Sequence, residues 1–231
     1  MISLRSAVRR FRCSPTFFKD LHIAGFFCPL KKLVRIDLSS NAITDLNNLG
    51  LNPLSKDTNQ EFRCNLTAKS LHLRHNGLVA VTPNSLSALG SLQHLDLSHN
   101  HIGVLVEAAF EGLATLQTID LSFNRLAAIP PKIFRTTVPN LRTLILANNT
   151  LGTIDLEVFS HLTQLQTLNM SGNNLDENWI RPGIFAGLHH LIGQLVRHQR
   201  FECTIVATRG AKFQKSAPTP IDTPIRVGPN L

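Results

Sequence analysis

Four histidines, His72, His75, His94 and His99, lie close together in the chain, with Asp96 and Asp120 beside them. Neutral imidazole is a common zinc ligand and changes charge near neutral pH, so such a set could hold a metal ion or sense protons. A metal centre needs more than proximity. No cysteine or carboxylate falls at a ligand spacing that reinforces the set, and nothing in the pattern fixes a tetrahedral geometry. A metal-dependent enzyme built on this His cluster is therefore the remote reading, and no cofactor is expected. The chain also has no Gly-rich phosphate loop, nucleophile elbow or metalloprotease helix, which leaves catalysis without positive support.

His75 and His99 hold the same phase of a repeat, and that repeat explains most of the chain. Leu92, Leu95, Leu97, Asn100 and Ile102 recur as Leu116, Ile119, Leu121, Asn124 and Leu126, then as Leu141, Leu144, Leu146, Asn149 and Leu151, and again as Leu165, Leu168, Met170, Asn173 and Leu175. The copies begin 24 or 25 residues apart and read L-x-x-L-x-L-x-x-N-x-L. Earlier copies start at Leu33, with Ile36, Leu38 and Asn41, and at Ala68, with Leu71, Leu73 and Asn76. The second half of each copy has its own apolar positions at Phe110, Phe134, Phe159 and Phe185, with Leu86 in place of Phe in the coil that starts at Ala68.

On these motifs the chain resembles the leucine-rich-repeat family, in the longer class ending in F-x-x-L that is common in the ectodomains of Toll-like and adhesion receptors. The resemblance implies an α/β fold, a right-handed curved horseshoe-shaped solenoid with a parallel concave β-sheet and irregular or short helical convex segments. In L-x-L the two leucines point to one face of a short strand and the residue between them to the other. The Asn of each coil falls where the chain leaves the strand. Stacked coils should bury Asn41, Asn76, Asn100, Asn124, Asn149 and Asn173 in a row, each satisfying backbone groups of its own and neighbouring turns.

Charge divides the chain into three parts. Residues 1–32 carry a net +6 and residues 192–231 a net +4, which leaves the stretch between them at −2 within a chain total of +8. A basic N-terminal flank at 1–32 is expected to be disordered or a targeting segment, the solenoid to fill 33–191, and the Pro-containing tail at 192–231 to be disordered. An insertion loop is expected at about 50–67, because the interval from Leu33 to Ala68 is too long for one coil; the alternative is a hidden degenerate repeat. The acidic body argues against nucleic acid gripped by the repeats, which would need Lys and Arg on the contact surface. There is no membrane span, since no run of about 18 apolar residues exists. Cys13, Cys28, Cys64 and Cys203 form neither of the clustered caps that extracellular family members usually carry, and their pairing is open.

The expected contact surface is the outward ribbon of the strands, about 24 Å long for strands ~4.8 Å apart. It contains His72, Arg74, His75, His94, Asp96, His99, Asp120, Phe123 and Ile145, with Ser98, Ser122 and Ala147 among the positions read as outward. Phe123 and Ile145 are the expected hot spots, as large apolar side chains on a polar face gain most on desolvation. Sequons at Asn65, Asn148 and Asn169 are candidate glycosylation sites. By fold analogy, the resemblance implies a non-enzymatic module that binds a protein ligand on its concave face, extracellular or at the cell surface. An intracellular, cytoplasmic scaffold or adaptor is the alternative.

Overall fold

The structure is a computed structural model that describes residues 32–49 and 66–175 apart from Thr136, together with Arg10–Arg12, 27, 30, 51, 184, 185, 188, 190, Gln194–His198 and Glu202–Val206. Each repeat places one three-residue strand at its L-x-L segment: β2 (Arg35–Asp37), β3 (Ser70–His72), β5 (His94–Asp96), β7 (Thr118–Asp120), β8 (Thr143–Ile145) and β9 (Thr167–Asn169). They pair in parallel with no register slip, so that Ile36, Leu71, Leu95, Ile119, Leu144 and Leu168 form one continuous inward row. All six are 1% exposed or less. A one-residue slip would turn each of these side chains out to water, so burial of one face fixes the register. A second, two-stranded parallel sheet joins β4 (Ala80–Val81) to β6 (Val104–Leu105).

Among the described residues the convex side is built from turns and one 3-10 segment, Leu46–Leu49. Phe110, Phe134 and Phe159 are buried there, Leu86 fills the same place in its own coil, and Phe185 packs partly buried against the core. The rings of Phe110 and Phe134 lie nearly parallel with centroids 6.1 Å apart. Each coil thus covers the apolar edge of the next.

The asparagines form a zipper. The side-chain amide of Asn124 donates to the carbonyls of Leu97 and Leu121, both at 3.0 Å, and its Oδ1 accepts the N–H of Ile102 at 3.0 Å. Asn76, Asn100, Asn149 and Asn173 repeat this arrangement, so Leu97 O and Leu121 O each accept two side-chain amides from successive coils. Asn41 departs from the expected buried row. It is only half-buried, and its Oδ1 has no hydrogen-bond donor among the described residues.

β2 and β3 pair directly, with no strand between them. Leu51 and Leu66 are fully buried, and both are tied to Ala88, whose N–H donates to Leu51 O at 3.1 Å while its carbonyl accepts the N–H of Leu66 at 3.0 Å. Residues 52–65, with the sequon Asn65 and Cys64, lie outside the described residues, as do Cys13 and Cys28.

Strands also occur inside both flanks. β1 (Arg10–Arg12) pairs in parallel with β2, while β10 (Gln194–His198) and β11 (Glu202–Val206) form an antiparallel hairpin whose second strand lies against β9. An open sheet edge carries a row of unpaired N–H and C=O groups, and even basic, weakly patterned segments gain by pairing with it. Among the described residues the sheet has nine strands in the order β1-β2-β3-β5-β7-β8-β9-β11-β10.

Candidate functional site: the outward face of the sheet

The face of the sheet opposite the leucines carries two rows of side chains. One runs through Arg35, Ser70, His94, Thr118, Thr143 and Thr167, the other through Asp37, His72, Asp96, Asp120, Ile145 and Asn169. Part of this face is a shallow depression lined by Arg35, His72, His94, Asp96, Asp120 and Ile145. His94 is exposed, while His72, Asp96, Asp120 and Ile145 are half-buried. His72 Nδ1 lies 3.8 Å from Asp96 Oδ2, and His72 Nε2 is buried without a hydrogen-bond partner among the described residues.

The aspartates are held from behind. Asp96 Oδ1 accepts the N–H and hydroxyl of Ser98 at 3.0 and 2.6 Å, and Asp120 Oδ1 accepts those of Ser122 at 2.9 and 2.6 Å. Burial pushes the Asp96 carboxyl up, but the adjacent His72 and the hydrogen bonds from Ser98 outweigh it and hold Asp96 below the usual carboxylate range. Asp37 follows the same logic, with burial opposed by Ser39, His72 and Arg35. Because these serines turn back onto the aspartates, Ser98 and Ser122 are buried rather than outward, and so is Ala147. Alternation with period two fails here because the strand ends at Asp96 or Asp120 and the chain has already begun to turn.

A third column lies at that turn. Ser40, His75, His99, Phe123 and Asn148 all adopt positive φ, between 54° and 57°, and Gly172 has φ 65°. Left-handed backbone is rare for a residue such as Phe, and the surroundings impose it. The N–H of Phe123 donates to Ala147 O at 2.9 Å and that of His99 to Ser122 O at 2.9 Å, so each turn is pinned to the next. At Gly172 a Cβ would collide with the Asn148 side chain, which makes glycine the residue that fits. The repeat phase held the clue: Asn148 and Gly172, the residue types that tolerate this backbone, share it with Phe123.

The shared conformation stacks three rings. His75 and His99 have centroids 4.3 Å apart, and His99 lies nearly parallel to Phe123 at 4.2 Å. Arg74 Nη2 sits 3.3 Å from His99 Nε2. Phe123 remains 48% exposed. The four predicted histidines are thereby divided: His75 and His99 stack on each other, His72 faces Asp96, and His94 stands in the other row. No group of three or more potential metal ligands gathers among the described residues.

Desolvation, then the charges of Arg74 and His75, push His99 below the ordinary imidazole value, against the opposing pull of Asp120 and Asp96. A depressed folded-state value means the unfolded chain binds the proton more tightly. The contribution of His99 to stability is therefore present above about pH 6.5 and is lost as pH falls through the lower folded value. An NMR titration of the His99 ring should give a midpoint below that of a model peptide, and Arg74→Gln should raise it.

The family model described as "Leucine rich repeat" matches residues 67–126 and 114–175, and a second model of that description matches 164–188. Among solved structures, the chain is similar to the protein in the TLR13-ssRNA13 complex, with 25% identity and a TM-score of 0.52 over 74% of this chain and 26% of that one. It is also similar to a Leptospira interrogans leucine-rich-repeat protein, at 27% identity and TM-score 0.56, over 72% of this chain and 38% of the other. A chain of the octameric complex of Latrophilin 3, Unc5D and FLRT2 (LRR) matches at 24% identity and TM-score 0.58, covering 71% of this chain and 45% of that one, a likeness of fold. This chain spans less than half of each of these solved chains. Repeat pattern, sheet and asparagine zipper agree with the family match: the chain belongs to the leucine-rich-repeat family.

Proposed function

We propose that the chain is a non-enzymatic protein-recognition module that takes a protein ligand on the outward face of its sheet, as part of an extracellular or cell-surface protein. The observation that carries this reading is the face itself: a rigid ribbon whose side chains are fixed from behind, with an exposed aromatic ring among polar groups. Exposed aromatic anchors in a polar surround are the usual hot spots of protein interfaces. TLR13 holds single-stranded RNA in its complex, but phosphate binding needs an excess of cations. The ribbon sets Asp37, Asp96 and Asp120 against Arg35 and Arg74, which favours a protein ligand.

Substitution of the ribbon tests this. Ile145→Arg should abolish binding of a ligand obtained by selection on the full chain, and Lys132→Ala on the convex side should leave it unchanged. Loss of binding by the convex variant alone would move the site off the ribbon.

The extracellular part of the reading rests on the sequons. Asn148 is exposed and can carry a glycan at its turn, whereas Asn169 is half-buried and its Oδ1 accepts the N–H and hydroxyl of Ser171. Chain passed through a secretory pathway should gain glycan mass that Asn148→Asp removes. An intracellular scaffold is the better reading if native protein carries no glycan.

A further inference from the structure

The charged part of the second row ends at Asp120. In Asp37, Asp96 and Asp120 alike, Oδ1 is engaged by the serine two residues on. The second oxygen differs. That of Asp37 lies 3.9 Å from Arg35, and that of Asp96 lies 3.8 Å from His72. Asp120 Oδ2 has no hydrogen-bond or ion-pair partner among the described residues.

Two apolar groups belong to the same part of the face: Ile145 lines the depression together with Asp120. Ile145 is the cross-strand partner of Asp120, and Phe123 follows three residues later in the same coil, with one ring face covered by His99. His99, which stacks on that ring, also feels the charge of Asp120, so carboxylate and ring share one neighbourhood. A free carboxylate beside an aliphatic and an aromatic surface matches arginine. Its planar guanidinium can stack on a ring while donating N–H groups to a carboxylate, and its methylenes can lie on an apolar side chain. Lysine matches the charge but not the stacking.

We propose that Asp120, Phe123 and Ile145 form a subsite for an arginine side chain of the protein ligand. This deepens the recognition reading above and rests on it. Both polar and aromatic elements are fixed before binding, Asp120 by Ser122 and Phe123 by its left-handed turn and its bond to Ala147, so little ordering entropy opposes the contact.

The two variants that test it should retain the fold. Asn169 already makes to Ser171 the bonds that Asp120 makes to Ser122, so Asp120→Asn keeps the turn, and the proteins are produced in bacteria because this change completes an N-L-S sequon with Ser122; Asn148 already holds the left-handed turn, so Phe123→Asn keeps that one. The probe is a library of random twelve-residue peptides displayed on phage and selected on the full chain. Enriched binders should carry arginine at a fixed position. Replacing it with citrulline or lysine should weaken binding by about tenfold or more, and so should Asp120→Asn or Phe123→Asn in the protein. Binders that Ile145→Arg disrupts but that do not need arginine would overturn the arginine subsite and leave the ribbon reading intact. Binders indifferent to every ribbon substitution would overturn both. The subsite also fails if a single-stranded RNA oligonucleotide binds the patch more tightly after Asp120→Asn, or if the chain self-associates through it and Phe123→Asn abolishes the association.

Discussion

Asn124→Ala is expected to destabilise the solenoid by about 3 kcal/mol, read as a lower urea midpoint. The change leaves the buried N–H of Ile102 without its acceptor at Asn124 Oδ1. An orphaned buried donor costs about 1–3 kcal/mol. Leu97 O and Leu121 O each keep one amide, from Asn100 and Asn149, and lose the other, which adds a smaller loss at each. Asn124→Asp separates the two roles of the side chain. A carboxylate can still accept from Ile102, but it faces two carbonyl oxygens to which it cannot donate, so it should not rescue stability. A variant as stable as the parent would mean that the zipper adds nothing to cohesion between coils. Because coils in a solenoid contact mainly their neighbours, hydrogen exchange should quicken most in the coils on either side of Asn124.

Phe134→Ala should cost about 3–5 kcal/mol by the same measurement. Phe134 is 1% exposed and lies parallel to Phe110, so truncation opens a cavity between two coils and removes the ring contact. Phe134→Leu is the control. Leu86, equally buried, fills the same position in the coil that starts at Ala68, so leucine is a residue this layer can pack around, and the loss should be much smaller. Equal losses for alanine and leucine would place the effect in something other than packing volume.

The leucine and phenylalanine positions were legible in the sequence because a repeated apolar spacing has a single physical use, burial between stacked coils. The asparagines were legible for a related reason, a polar residue recurring among leucines where a turn must be satisfied. A period-two pattern turns Ser98 and Ser122 outward, but the strands are only three residues long and both serines lie past their ends, where they are buried. The ring stack of His75, His99 and Phe123 was not seen, since it depends on a left-handed backbone that Phe and His do not advertise. Asp120 was named as a contact residue, but its uncommitted oxygen follows from which partners Arg35 and His72 choose, and spacing does not encode that choice.

Ala88 bonds both to Leu51 and to Leu66, and so clasps together two points of the chain that are separated in sequence. The pitch of the solenoid is thus set at a clasp rather than by the length of chain running between the clasped points. By loop-closure entropy, doubling the length of chain between two fixed points costs only about 0.6 kcal/mol. The position is therefore a natural graft point, where foreign peptide can be spliced in for display while the coils on either side keep their registry.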